Sequence, residues 1–121
     1  GYWSNVWMKK PWCMAYWSGR ATEDLMFSSG YSKNTSWNET HWTNERFETL
    51  LVAARAELDE EKRRAMYWEM QQIVSDDGGA IIPVFASYVA AHSSKVGHPD
   101  VIGRNYDMDG SKITERWWIN S

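Results

Sequence analysis

The sequence predicts an α/β chain of the α+β kind, two consecutive helices set among several short strands, on three observations. Apolar residues recur at helical spacing over Phe47, Leu50, Leu51, Ala54 and Leu58, and again over Met66, Met70, Ile73 and Val74. Residues 11–18 alternate instead, with Trp12, Met14 and Tyr16 on one face of a strand and Cys13, Ala15 and Trp17 on the other. β-rich runs follow the helices at 81–85, 88–92 and 113–119.

In chain order, the first strand is apolar on both faces and so needs a neighbour or a cavity on each side. Ser18 and Gly19 end it, and Ala21 to Phe27 reads as a short helical turn capped by Thr22, whose hydroxyl can satisfy an orphan N–H. Residues 28–43 are polar and form a long loop, a length that in compact domains marks function or disorder. Asn44 caps the first long helix, which ends near Leu58; Asp59 caps the second, with Glu60 and Glu61 favoured in its first turn by the helix dipole. Asp59 to Arg63 and Glu60 to Arg64 are spaced four apart as solvated ion pairs. Gly78 and Gly79 stop that helix, Pro83 confines the next run to an edge or a bulge, and residues 107–110 signal a turn.

A chain of 121 residues accommodates one modest domain. Thirteen basic against sixteen acidic residues, a net charge of -3, supply no field for a phosphate backbone, so nucleic acid is not an expected partner. The apolar runs fall far short of the roughly 20 residues that cross a bilayer, and no signal-peptide core is present. The single Cys13, between Trp12 and Met14, forms no internal disulfide and reads as a buried, inert thiol. Nine tryptophans are the unusual count, suited either to filling a core or to presenting stacking surfaces.

Catalysis finds little support. Glu23 and Asp24 are adjacent, so their side chains diverge by about 100° on a helix and do not make a glycosidase pair. His41, His92 and His98 fall at no metal-ligand spacing, no metal or cofactor site is expected, and the nucleophile-elbow, phosphate-loop and dinucleotide patterns are missing. A hydrolase using Asp24 or Glu39 with His41 is the weakest alternative. Two glycosylation sequons, at Asn34 and Asn38, read as chance in a polar loop. Binding fares better. Trp17 at a strand end, Gly19 allowing close approach and Arg20 beyond it would set a flat ring beside a planar cation, the arrangement that grips a carboxylate or a flat polar ligand. An internal Arg20 to Asp24 bridge is the bland alternative of equal weight.

Three stretches carry a resemblance: Y-W-S-N-V-W-M-K-K-P-W from Tyr2, A-Y-W-S-G-R-A-T-E-D-L-M-F-S-S-G-Y from Ala15, and the run over residues 37–85 that holds both helices. Together they resemble the C-terminal part of bacterial family 5 extracellular solute-binding proteins, the peptide- and dipeptide-type receptors of ABC importers. The resemblance implies a portion of a two-lobed periplasmic binding protein type II fold. Residues 1–79 would then belong to the second, ligand-binding lobe and 80–121 to a return segment completing the first. It also implies a periplasmic or extracellular location, with an export signal upstream, and capture of a peptide or other small polar solute for a membrane permease. Trp17, Arg20, Thr22, Asp24 and Trp37 are the ligand-binding residues it points to, with Asp24, or Glu23 if the register slips by one, matching an acidic residue that pairs with a peptide amino terminus. Arg20 stands near where many relatives carry Asp, which favours a ligand with an anionic group or a sugar-like face. A portion of such a receptor on its own should exchange strands or self-associate to cover its apolar strand. The rival from another class is a small, self-contained interaction domain with a tryptophan-rich protein-binding face.

Overall fold

Helix dominates, because the strongest local signals in the chain are helix caps and helical apolar stripes. The computed structural model describes residues 1–104 and 106–121. Its elements are α1 (Tyr2–Asn5), α2 (Glu23–Met26) running directly into a π-type turn (Phe27–Tyr31), α3 (Glu45–Ala56), α4 (Glu60–Asp77), β1 (Val96–Gly97), α5 (Asp107–Ser111), α6 (Ile113–Arg116) and β2 (Trp118–Ile119). The chain divides into two compact units, Gly1–Trp17 with Ala21–Ile82, and Ser18–Arg20 with Pro83–Ser121.

In the first unit the two long helices stand where their caps place them. Asn44 Oδ1 accepts from Phe47 N at 3.0 Å, and Asp59 Oδ1 accepts from Glu61 N at 3.0 Å and Lys62 N at 3.1 Å. The three residues between α3 and α4 fold the pair back as an antiparallel hairpin. Arg46 near the start of α3 makes a bidentate bond to Glu69 late in α4, at 2.7 and 2.8 Å, and Asn44 reaches Asp77 at 3.3 Å. The core lies along the seam: Phe47, Leu50, Leu51 and Ala54 from α3, Met70 and Val74 from α4, and Phe27 from the π-type turn, with Tyr31, Trp42, Met66, Tyr67 and Ile73 packed around them. Phe27 meets Phe47 edge-on at 5.3 Å, and Trp42 meets Phe47 at 5.1 Å.

Several expectations are corrected here. The first long helix stops at Ala56, so Leu58 leaves the stripe and is 92% exposed. Arg64 pairs with Glu61 at 3.4 Å, one residue nearer than Glu60, and Arg63 donates to the Glu57 carbonyl. The strand expected over residues 11–18 has no regular secondary structure and no ladder, and the same holds for the runs at 81–85 and 88–92. Trp12, Met14, Tyr16, Ile81, Val84, Phe85 and Val89 are all exposed. The physical reason is the one that makes strands nonlocal: alternation prepares two faces, but only a neighbouring strand satisfies the backbone.

In the second unit, sheet is confined among the described residues to one antiparallel pair, Val96 opposite Ile119 and Gly97 opposite Trp118. Residues 113–116 are helical, not part of the expected strand. The turn signalled at residues 107–110 is left-handed: Met108, Asp109, Gly110 and Ser111 have φ of 52°, 59°, 66° and 66°. Three of these are not glycine, and each such residue costs roughly 1–2 kcal/mol in that conformation. Side chains offset the cost. The buried Asp109 carboxylate accepts from Arg116 Nη1 at 2.6 Å, Trp117 Nε1 at 3.1 Å and the backbone N–H of Gly103. These bonds also explain the helical turn at 113–116, which brings Arg116 and Trp117 back onto Asp109.

Candidate functional site

Trp17 and Trp37 come together although the sequence separates them by twenty positions. The turn from α2 into the loop delivers Trp37 to Trp17, ring centres 6.0 Å apart with planes at 66°. Trp17 is half-buried and Trp37 exposed. Trp17 also forms one wall of a shallow cleft of about 20 Å³, lined further by Met26, Gly30, Tyr31, Glu39 and Thr40. That volume holds about one water molecule. Gly30 keeps the cleft open: a Cβ there would lie 3.2 Å from the Met26 methyl and 3.4 Å from the Trp17 ring. At its polar end, Glu39 accepts a hydrogen bond from the Trp7 indole N–H. Burial, and then the Glu39 charge, push the Tyr31 hydroxyl above the ordinary tyrosine range. Trp7, Tyr31 and Glu39 are the residues that sequence reasoning did not assign to a binding site. Their signal lay only in the density of aromatic residues around a polar loop.

Asp24 is placed elsewhere. Its carboxylate receives a two-pronged bond from Arg55 of α3, Nε to Oδ1 at 2.8 Å and Nη2 to Oδ2 at 3.1 Å, and further bonds from Ser28 Oγ at 3.3 Å and Tyr67 hydroxyl at 3.2 Å. The hydrogen bond from Arg55 to Asp24 holds the guanidinium above its ordinary range, while burial, followed by the Asp24 charge, raises Tyr67. Asp24 therefore ties α2 to both long helices. Its arginine partner within the first unit is Arg55. Glu23 is exposed at the start of α2. Thr22 caps that helix, Oγ1 accepting from Leu25 N at 3.3 Å.

Replacing Asp24 by alanine is expected to lower stability by about 1.5–3 kcal/mol, the range for hydrogen bonds to charged groups. Adding Arg55→Ala should cost less than the sum of the two single changes, because both remove the same node. Urea titration of the two single variants and the double variant checks this, and full additivity would contradict it.

Arg20 belongs to the second unit with Ser18 and Gly19. Its Nη1 donates to the Ser18 carbonyl at 3.0 Å, Ser18 Oγ at 3.2 Å and the Gly19 carbonyl at 3.1 Å. Cys13 is a free thiol, half-buried where full burial was expected. His41 is exposed at φ 54°. Asn38, the centre of one sequon, is buried, its amide donating to the Trp42 carbonyl at 2.7 Å. Among the described residues no helix is long and apolar enough to cross a membrane.

Of the five residues that the sequence pointed to, the structure brings Trp17 and Trp37 into contact, gives Asp24 and Thr22 stabilising bonds in the first unit, and places Arg20 in the second. No protein-family model, curated protein or solved structure matches the chain.

Proposed function

We propose that this chain belongs to a solute-binding receptor of an ABC importer and contributes the aromatic corner of its ligand cleft, taking a peptide or other small polar solute for delivery to a membrane permease from the periplasmic or extracellular side. The single observation that supports this most directly is the pairing of Trp17 with Trp37 beside a cleft that ends in the Glu39 carboxylate. Two indole rings set edge to face offer flat surfaces to a ligand backbone, and a half-buried carboxylate offers a charge-assisted bond to an ammonium group. The cleft of about 20 Å³ is far below the few hundred Å³ of a solute site, so the rings form one wall and the proposed receptor supplies the rest. In this proposal Asp24 positions α2 and does not meet the ligand, and Arg20 remains a ligand candidate of the second unit. The exposed apolar stretches at residues 11–18 and 81–89 fit strands of a larger sheet, and self-association of the chain alone would cover them.

The test is titration of trialanine, followed by the indole N–H signals of Trp17 and Trp37. Both signals should move together, and Trp17→Ala or Trp37→Ala should weaken binding at least tenfold. Binding that leaves both indole signals unmoved, or is unchanged in both variants, overturns the proposal, as does no response to trialanine, a sugar or a dicarboxylate at millimolar concentration. The exposure of Trp12 and Trp68 in the first unit favours a second reading, a protein-interaction domain that binds its partner through tryptophans. Retention of a protein partner with no solute response would favour it.

A further inference from the structure

His92 and His98 are six positions apart in sequence, a spacing that suggests no ligand pair, yet the turn between them, closed by Val96 N donating to the Ser93 carbonyl at 2.9 Å, lets their rings meet. Their centres lie 5.0 Å apart, and each lies beside Trp117, at 5.2 Å for His92 and 5.1 Å for His98. Trp117 is itself fixed, its indole N–H bonded to the buried Asp109. Each imidazole also has a backbone carbonyl at Nδ1, that of Ser93 at 3.1 Å for His92 and that of Pro99 at 2.8 Å for His98. A carbonyl oxygen can only accept, so both contacts are hydrogen bonds in the tautomer that carries its proton on Nδ1. In the neutral imidazole the lone pair is then on Nε2. Donation from one ring nitrogen to a carbonyl is what orients metal-ligating histidines and raises the basicity of the other nitrogen.

We propose that His92 and His98 form a two-histidine site for a borderline divalent cation of the zinc, nickel or copper class, bound through the two Nε2 atoms. The spacing of the rings suits it: with Zn–N bonds of about 2.0–2.1 Å, two imidazoles on one tetrahedral ion have their centres about 5 Å apart. Imidazole nitrogen is a preferred donor for these metals. Among the described residues no three His, Cys, Asp or Glu side chains are grouped for a metal, so the remaining positions belong to water or to an incoming ligand. The site is confined to the second unit and does not depend on the function proposed for Trp17 and Trp37.

The probe is zinc chloride, added to the whole chain in a non-chelating buffer near neutral pH. Calorimetry should give one equivalent with micromolar affinity, weakened at least tenfold by His92→Ala and by His98→Ala, while His41→Ala binds as the unaltered chain does. Imidazole nitrogen NMR on the unaltered chain gives a second readout that does not depend on how the variants fold: Nε2 of both His92 and His98 should shift, with both Nδ1 atoms still protonated. Binding weaker than millimolar, binding unaffected by either alanine, or coordination through Nδ1 would each overturn the site.

Discussion

Phe47→Ala is expected to remove about 3–5 kcal/mol of stability, the range for deleting a fully buried aromatic side chain. Phe47 has no exposed surface and stands where three elements meet: Phe27 and Trp42 pack on its ring edge-on, and Met70 and Val74 of α4 close the seam beside it. Truncation leaves a ring-sized cavity among side chains that come from both long helices and from the π-type turn, so no one element can move in to fill it. Domains of this size have total stabilities of about 5–15 kcal/mol, which makes the loss a large fraction of the whole. Val52→Ala on the exposed face of α3 is the reference and should fall within about 0.5 kcal/mol of the unaltered chain. Urea unfolding followed by helical circular dichroism measures both, and equal effects would show that the seam is not the core.

Asp109→Ala is the second large effect, and it acts on the other unit. The carboxylate accepts from Arg116, Trp117 and the Gly103 backbone, and it sits in a left-handed turn whose backbone is unfavourable without such bonds. Its removal takes away the acceptor that Arg116, Trp117 and the Gly103 backbone share and frees the turn, and the melting temperature should drop by more than about 5 °C. The pH dependence follows from the same contacts. The backbone N–H of Gly103, opposed by burial and then aided by Trp117, Arg116 and His98, holds the Asp109 carboxyl below the usual aspartate range. A folded-state pKa below the unfolded one means stability that is complete above about pH 4 and is lost as pH falls through the lower folded value. Melting between pH 6 and pH 2, followed by the Trp117 indole N–H signal, should show this loss, and Asp109→Asn should remove Asp109's contribution to it. A variant whose acid profile matches that of the unaltered chain would contradict the assignment.

The helical part of the fold was legible because its signals are local. Asn44, Asp59 and Gly78 each act within one turn of their own position, and the stripe from Phe47 to Ala54 needs only helical periodicity to be seen. The strands were not, because Trp12 to Trp17 alternate and Ile81 to Phe85 are rich in β-favouring residues, while the partner that would make a ladder is a separate, nonlocal fact. The turn at residues 107–110 could be marked, but its hand depends on an aspartate whose partners lie at 103, 116 and 117. The candidate site shows the same division. Trp17 and Trp37 were both named from sequence, yet their contact depends on the path of the intervening loop. Asp24 looked available because Arg55, thirty-one positions on, could not be seen to reach it. Glu39 drew notice only as a hydrolase candidate, since nothing near it in sequence shows that it borders the Trp17 cleft.

The buried amide of Asn38 sets an order of events for any cell that attaches sugars to nascent chains. Its nitrogen is committed to the Trp42 carbonyl and its oxygen lies 3.4 Å from the Thr40 hydroxyl, so no room is left for a glycan once this loop has closed. Sugar transfer and loop closure exclude each other at this asparagine, and whichever comes first decides which molecule is made. Asn34, exposed four residues earlier, carries no such conflict.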